Sequence, residues 1–302
     1  MASKVYSTKQ IPRKLGELYK FLVRELESLS QIVLPQEKAG IILEIVLKKK
    51  PIDVIVSPNE TLTPAQAERI AKVMGEVSEG KPLAYALGEW FFANKLFFVN
   101  QAVMIPRPDT ETLLEVASAY LEYLVNVKGI RRPRVLEIGV GTGALIISIA
   151  NRFPNAEAHG TDISIDAIKT ARENSIRHRV RNLRLYRGDI FTALPKGMKF
   201  NLVVSNPPYV GAGEEIDPLV ALFEPKQAIF VPKGMESTFY HERIISEAHQ
   251  RLYPEGMVAL EVGIGQSQEV KRLMEKAGLK DIRFHKDLAS NDRVVSGIWQ
   301  ES

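Results

Sequence analysis

Four consecutive residues, Asn206-Pro207-Pro208-Tyr209, place a neutral amide, two rigid backbone units and a phenol ring directly after the apolar run Leu202-Val203-Val204-Ser205. A planar nitrogen, in an amide or an aromatic amine, has its lone pair delocalised and attacks poorly. The Asn206 side-chain oxygen and the Pro207 carbonyl, held stiffly because each proline fixes φ and removes a donor, can accept both N–H hydrogens of such a group and aim its lone pair at an electrophile. Orientation of this kind supplies several kcal/mol of a barrier. Tyr209 is expected to pack its ring over the planar group and exclude water. No strong base is needed beforehand, because the nitrogen becomes acidic as its new bond forms. The same residues also read as a rigid turn without chemistry.

A second constellation lies upstream. The apolar strand Val135 to Ile138 runs straight into Gly139-Val140-Gly141-Thr142-Gly143 and then a helix. Glycines there let the backbone turn sharply and approach a ligand, and a helix start offers free N–H groups. Asp162 ends the next strand about 20 residues on, where an acid can accept from both hydroxyls of a ribose. An adenosine-containing cofactor follows. The turn alone leaves its identity open, since Gly139, Gly141 and Ala144 also satisfy the dinucleotide fingerprint with Ala in third place. Glu137, two residues before the first glycine, can take the ammonium of a methionine moiety. Asp189, in Gly188-Asp189-Ile190-Phe191, can accept from an adenine amino group. Each acid singly reads equally well as a strand-end cap. Together at three consecutive strand ends they favour S-adenosylmethionine over NAD, with S-adenosylhomocysteine as product and a sulfonium methyl as the electrophile.

These residues resemble the HemK/PrmC family, S-adenosylmethionine-dependent methyltransferases that modify the glutamine of the Gly-Gly-Gln motif in peptide-chain release factors. The likeness also rests on Pro82-Leu83-Ala84-Tyr85-Ala86-Leu87-Gly88-Glu89-Trp90, Ile105-Pro106-Arg107-Pro108-Asp109-Thr110-Glu111 and Asn291-Asp292-Arg293. It implies that Gly139, Val140, Gly141, Thr142, Gly143, Asp162, Asp189 and Ile190 line the cofactor site. It further implies that Asn206, Pro207, Pro208 and Tyr209 hold the glutamine amide, and that an N-terminal helical domain docks the release factor. One stretch departs from the family: after Phe223-Glu224-Pro225, where a glycine pair and Asp-Gly are usual, stands Phe230-Val231-Pro232-Lys233-Gly234-Met235-Glu236. An adenine-N6 methyltransferase shares the Asn-Pro-Pro-Tyr signature, but would need a base-flipping pocket and a target-recognition segment, and no insertion looks large enough. A non-catalytic cofactor-binding adaptor and a dehydrogenase are the remaining alternatives.

The elements that must position these residues fall into two textures. Apolar residues at Leu15, Leu18, Tyr19, Leu22, Leu26 and Leu29 predict a helix from Leu15 to Leu34; others are expected over Gln36 to Lys49 and Thr63 to Val77, the last with Thr63 as cap and Pro64 at the first helical position. A hairpin turning at Ala93-Asn94-Lys95 follows, then a helix from Asp109 toward Val127. Beyond Pro133 strands alternate with helices, predicting a parallel sheet covered on both faces, closed by an antiparallel hairpin of Asp281 to His285 and Val294 to Trp299. The expected fold is α/β: a Rossmann-like S-adenosylmethionine-dependent methyltransferase domain behind a small helical bundle, with boundaries at 1–81 (docking), 82–105 (connector) and 106–302 (methyltransferase).

Length and composition agree with this. The 302 residues are 45 % hydrophobic and 25 % charged, ordinary for a soluble globular protein. With no cysteine, disulfides, thiolate metal sites and cysteine nucleophiles are excluded, and the histidines show no metal-ligand spacing, so no metal is expected. The formal charge of +4 allows an acidic or RNA-rich partner without requiring nucleic acid, and its densest stretch is Arg172, Arg177, His178, Arg179, Arg181, Arg184 and Arg187. No apolar run approaches a membrane span. A cytoplasmic monomer is expected; Lys4, Lys9, Arg13 and Lys14 ahead of Glu17 leave an organellar presequence, such as a mitochondrial one, as the alternative.

Overall fold

The computed structural model describes residues 6–300, and Lys4 of the basic N-terminal stretch lies outside them. The chain divides between Glu89 and Trp90 into two compact units.

The first unit is helical. Helix α1 (Leu15–Glu27) buries Leu15, Leu18, Leu22 and Leu26, the stripe read from the sequence. It stops short of Leu34, because Ser28 caps it by donating to the Glu25 carbonyl and Leu34 takes a φ of 56° ahead of Pro35; a residue before proline is disfavoured in the helical region. The expected second helix is α2 (Pro35–Ile42) continued by a widened π turn, Leu43–Leu47, which lets four apolar residues out of five turn inward. A short α3 (Asp53–Val56) precedes α4 (Pro64–Ser78), whose Thr63 cap accepts from Gln66 N while the Gln66 side chain accepts from Thr63 N. Helix α5 (Leu83–Leu87) leads to β1 (Glu89–Phe92).

Strands β1 and β2 (Lys95–Phe98) form the predicted hairpin, with Ala93 and Asn94 both at positive φ, the backbone of a tight two-residue turn. Phe92 and Phe97 pack into the core of the larger unit with Leu113, Leu114 and Ile147. Helix α6 (Thr110–Asn126) then opens the alternating part: β3 (Arg134–Ile138), α7 (Ala144–Arg152), β4 (Glu157–Asp162), α8 (Ile165–Arg177), β5 (Leu183–Arg187), β6 (Phe200–Ser205), α9 (Pro218–Phe223), α10 (Lys226–Ile229), α11 (Phe239–Ala248), β7 (Leu252–Glu261), α12 (Ser267–Lys276), β8 (Leu279–Lys286) and β9 (Asp292–Trp299).

The seven strands run in the order β5-β4-β3-β6-β7-β9-β8, parallel except for β9, which is antiparallel to both its neighbours. The C-terminal pair is therefore the expected hairpin, but its second strand is inserted inside the sheet and its first becomes the edge. Helix α11 ends before the expected Leu252, which begins β7; the register of β7 against β6 slips between Leu252 and Met257, around Glu255 at φ 61°. Chain order reverses between β3 and β6, whose ends pair Ile138 with Ser205. That reversal opens a crevice at the carboxyl ends of the strands, and it brings the glycine turn beside Asn206.

Candidate active site

An open-mouthed cavity of about 1250 Å³, counted out to its mouth, occupies this crevice. Glu137, Gly139, Val140, Gly141, Thr142, Asp162, Asp189, Ile190, Asn206, Pro207 and Pro208 all line it, whereas Gly143 and Tyr209 do not. All of its lining residues lie within the larger unit.

The glycine turn hangs on β4. Gly139 N and Val140 N donate to the Thr161 carbonyl, and Gly141 N donates to Asp162 Oδ2 at 3.0 Å. Gly160 is the strand residue beneath the turn, and a Cβ there would stand 2.5 Å from Val140 Cγ1, so only glycine permits this approach. Gly143 begins α7 at φ 77°, with Ala171 and Ile147 at 3.0 Å from where its Cβ would be; it shapes the turn from behind.

The start of α7 is not free. Thr142 Oγ1 accepts from Ala144 N, and Glu137 Oε2 accepts from Ile146 N at 3.0 Å. Two of the N–H groups at the start of α7 are thus already taken by the protein's own side chains. Glu137 is 4 % exposed, and burial pushes its pKa well above the usual carboxylate range against the opposing hydrogen bond from Ile146. Asp162 accepts from Gly141 N and Ser164 N, and burial raises it too. Both oxygens of Asp189 accept from Arg243, at 3.3 and 2.7 Å, an ion pair the sequence reading did not foresee.

Asn206 donates from Nδ2 to Thr110 Oγ1 at 3.1 Å, which leaves its Oδ1 as the acceptor for an incoming N–H. The following turn is clamped from several sides. Ser205 Oγ donates to the Ile138 carbonyl, Gln266 Nε2 donates to the Tyr209 carbonyl at 2.8 Å, and Val210 exchanges backbone hydrogen bonds with Ile229 and Val231. The last of these brings the unusual 230–236 segment back against the motif. Tyr209 does not line the cavity as a cover; its hydroxyl donates at 3.4 Å to Glu261, a buried carboxylate at the end of β7. Desolvation pushes the Tyr209 pKa up, so the phenol remains a donor.

Other residues at the site carry no contiguous signal. Phe92, Met104, Arg107, Thr110 and Tyr240 line the cavity from the hairpin, the segment after it, α6 and α11; of these only Arg107 and Thr110 belong to the Ile105 to Glu111 motif. Arg107 pairs with the buried Glu224, which also accepts from Ile105 N. Of the basic stretch, Arg179, Arg181 and Arg184 line a separate polar hollow with Arg132 at the starting ends of β4 and β5, the opposite end of the sheet. Among the described residues no group of three or more His, Asp or Glu is placed to hold a metal, and no helix is long and apolar enough to cross a membrane.

The sequence matches two family models, the PrmC N-terminal domain over residues 17–88 and the methyltransferase small domain over residues 112–235. It is 33 % identical over 264 residues to the release factor glutamine methyltransferase of Salmonella typhimurium, covering 87 % of this chain and 92 % of that protein. It is 34 % identical over 280 residues to the bifunctional methyltransferase of Rickettsia typhi, covering 87 % of this chain and 53 % of that one, so it spans about half the length of that relative. Among solved structures, the hMettl16 catalytic domain in complex with MAT2A 3′UTR hairpin 6 superposes with a TM-score of 0.51 at 12 % identity, over 78 % of this chain and 81 % of that chain, a likeness of fold.

Proposed function

Because the chain belongs to the release factor glutamine methyltransferase family, we propose that it methylates the side-chain N5 of the glutamine in the Gly-Gly-Gln motif of peptide-chain release factors, using S-adenosylmethionine. The observation that carries this reading is the anchored Asn206: its Nδ2 donates to Thr110, which leaves its Oδ1 as an acceptor, and Asn206 and Pro207 both line the cavity. Two acceptors suit the two N–H hydrogens of a primary amide.

The residues present fit S-adenosylmethionine better than a dinucleotide. Glu137 and Thr142 already take two N–H groups at the start of α7, which leaves fewer for a pyrophosphate, and an acid at this strand end suits the ammonium of a methionine moiety. In this reading Glu137, Gly139, Val140, Gly141, Thr142, Asp162, Asp189 and Ile190 hold the cofactor, Gly143 shapes their turn, and a positively charged ligand restores the ionised form of Glu137. When bound, the cofactor supplies a sulfonium methyl: the N–C bond forms as the S–C bond breaks, S-adenosylhomocysteine leaves, and the amide nitrogen releases a proton. Asn206 and Pro207 align the nitrogen; Pro208 and Tyr209 keep them stiff. We assign residues 1–81 to docking the release factor, 82–105 to a connector and 106–302 to transfer, in a cytoplasmic monomer.

The test uses labelled S-adenosylmethionine with a release factor, its Gln-to-Ala variant and duplex DNA. Label is expected in the first alone. Asn206→Ala should lower kcat by about a hundredfold or more with cofactor affinity largely kept. Label in DNA, undiminished label in the glutamine variant, or normal turnover by Asn206→Ala would refute the reading.

A further inference from the structure

At the end of the sheet away from the crevice lies a second hollow, about 1140 Å³ counted out to its mouth and built entirely from the larger unit. Arg132, Arg179, Arg181 and Arg184 line it, and the one carboxylate among its lining residues is Glu157. Glu157 is already neutralised, accepting from Arg134 Nε at 2.8 Å and pairing with Arg132 Nη2 at 3.2 Å. Arg179, Arg181 and Arg184 are exposed, and among the described residues none of the three has an ion pair or a side-chain hydrogen bond. Three positive charges therefore stand at one hollow without a counter-charge.

The groups that would repel an anion there are tied off. Asn182 Nδ2 donates to the Ala150, Phe153 and Ala156 carbonyls at 3.2, 3.1 and 3.0 Å, which covers acceptors at the negative end of α7. Arg179 takes a φ of 55° just after α8, a place where glycine or asparagine is usual. Local structure gives no reason for an arginine at that position; its charge gives one.

We propose that this hollow binds the phosphodiester backbone of single-stranded RNA. Exposed cations gain little from one small anion in water, but on a chain of phosphates their contributions add as counterions are released. A guanidinium fork matches phosphate oxygens, and its plane stacks on unpaired bases. A single strand can bend into a concavity that a stiff duplex would bridge. Asn151 and Asn155 also line the hollow, and among the described residues their amides have no side-chain hydrogen bond, so they are free to read the 2′-hydroxyl that distinguishes RNA from DNA. β4 joins the two sites: Glu157 begins it at the hollow and Asp162 ends it at the crevice, roughly 17 Å apart along a strand. RNA held at one end does not touch a ligand held at the other, and the proposal stands whether or not the amide-methylating reading does.

The test is fluorescence anisotropy of a labelled single-stranded RNA of mixed sequence, titrated with the full chain at salt concentrations from about 50 to 200 mM. The Arg179→Gly/Arg181→Gln/Arg184→Gln triple variant should bind about tenfold more weakly or worse at the lowest salt, and its slope of log affinity against log salt should be shallower by about 2. Glycine relieves the backbone at position 179, so this variant should melt no lower than wild type and should methylate at the wild-type rate. Lys276→Gln/Lys280→Gln/Arg283→Gln removes the same formal charge at the β8 edge and should bind RNA like wild type. DNA of the same sequence should bind more weakly, and neither poly-glutamate nor inorganic phosphate at matched ionic strength should displace the RNA. Wild-type affinity or slope in the first triple variant, an equal loss in the second, equal binding of DNA, or displacement by either competitor would overturn the proposal, the last two by assigning the hollow to an acidic protein or a small anion.

Discussion

The burial of Glu261 makes stability depend on pH. Burial raises its pKa to about 7 from an ordinary value of 4.5, against hydrogen bonds from Thr110 and Tyr209 and the charge of Arg293. At low pH the carboxyl is protonated whether the chain is folded or not. Between pH 4.5 and about 7 the unfolded chain ionises it while the folded protein resists, so its contribution turns unfavourable as pH rises, by on the order of 3 kcal/mol in full. Glu261→Gln should therefore melt above wild type at pH ~8 and close to it at pH ~5; a variant that melts lower at the higher pH would contradict this. The site residues legible in the sequence were those in contiguous runs, Gly139 to Gly143 and Asn206 to Tyr209. Thr110 and Glu261 are not legible as partners of the latter run, because each meets it across about a hundred or fifty positions, and nothing local marks a carboxylate as buried.

Among the elements, the ones read correctly were those long enough to repeat a pattern. Helices α3, α5, α9 and α10 have six residues or fewer, too short to display a 3.6-residue period. The tie between the hairpin and the glycine turn was equally hidden. Fully buried Asn174 on α8 accepts from Phe98 N at 2.8 Å and donates to the Phe98 and Thr142 carbonyls at 3.0 and 2.9 Å. One amide thus stitches β2 to the turn that lines the cavity. Asn174→Ala leaves these backbone groups without partners and should cost about 3 kcal/mol in urea denaturation. It should also weaken cofactor binding, because Thr142 loses its anchor. Unchanged stability would show that water replaces the side chain, and unchanged affinity that the turn holds without it.

For the whole molecule, the α/β class followed from the alternation of patterns, but the place of β9 did not, since a hairpin in sequence does not say which strand faces inward. All lining residues of the cavity belong to the larger unit. S-adenosylmethionine at about a hundred times its dissociation constant should stabilise that unit by about 2.7 kcal/mol, read as an upward shift in a calorimetric scan; a scan unmoved by the compound would remove the cofactor assignment. The strand order also bears on how the sheet is completed. β8 precedes β9 in the chain, yet among the described residues β9 is the strand it pairs with in the sheet, so β8 has no seat until β9 is placed beside β7. Its residues Lys280, Asp281 and Arg283 are exposed, while β9 buries five in succession from Arg293 to Gly297. In the inner place β8 would bury Lys280, Asp281 and Arg283, whereas the one charged residue that β9 buries there, Arg293, is paired with Asp287. The polarity of the edge strand thereby keeps the vacancy open for the later arrival, and with it the neighbour that β7 needs to hold Glu261 in register with Val294.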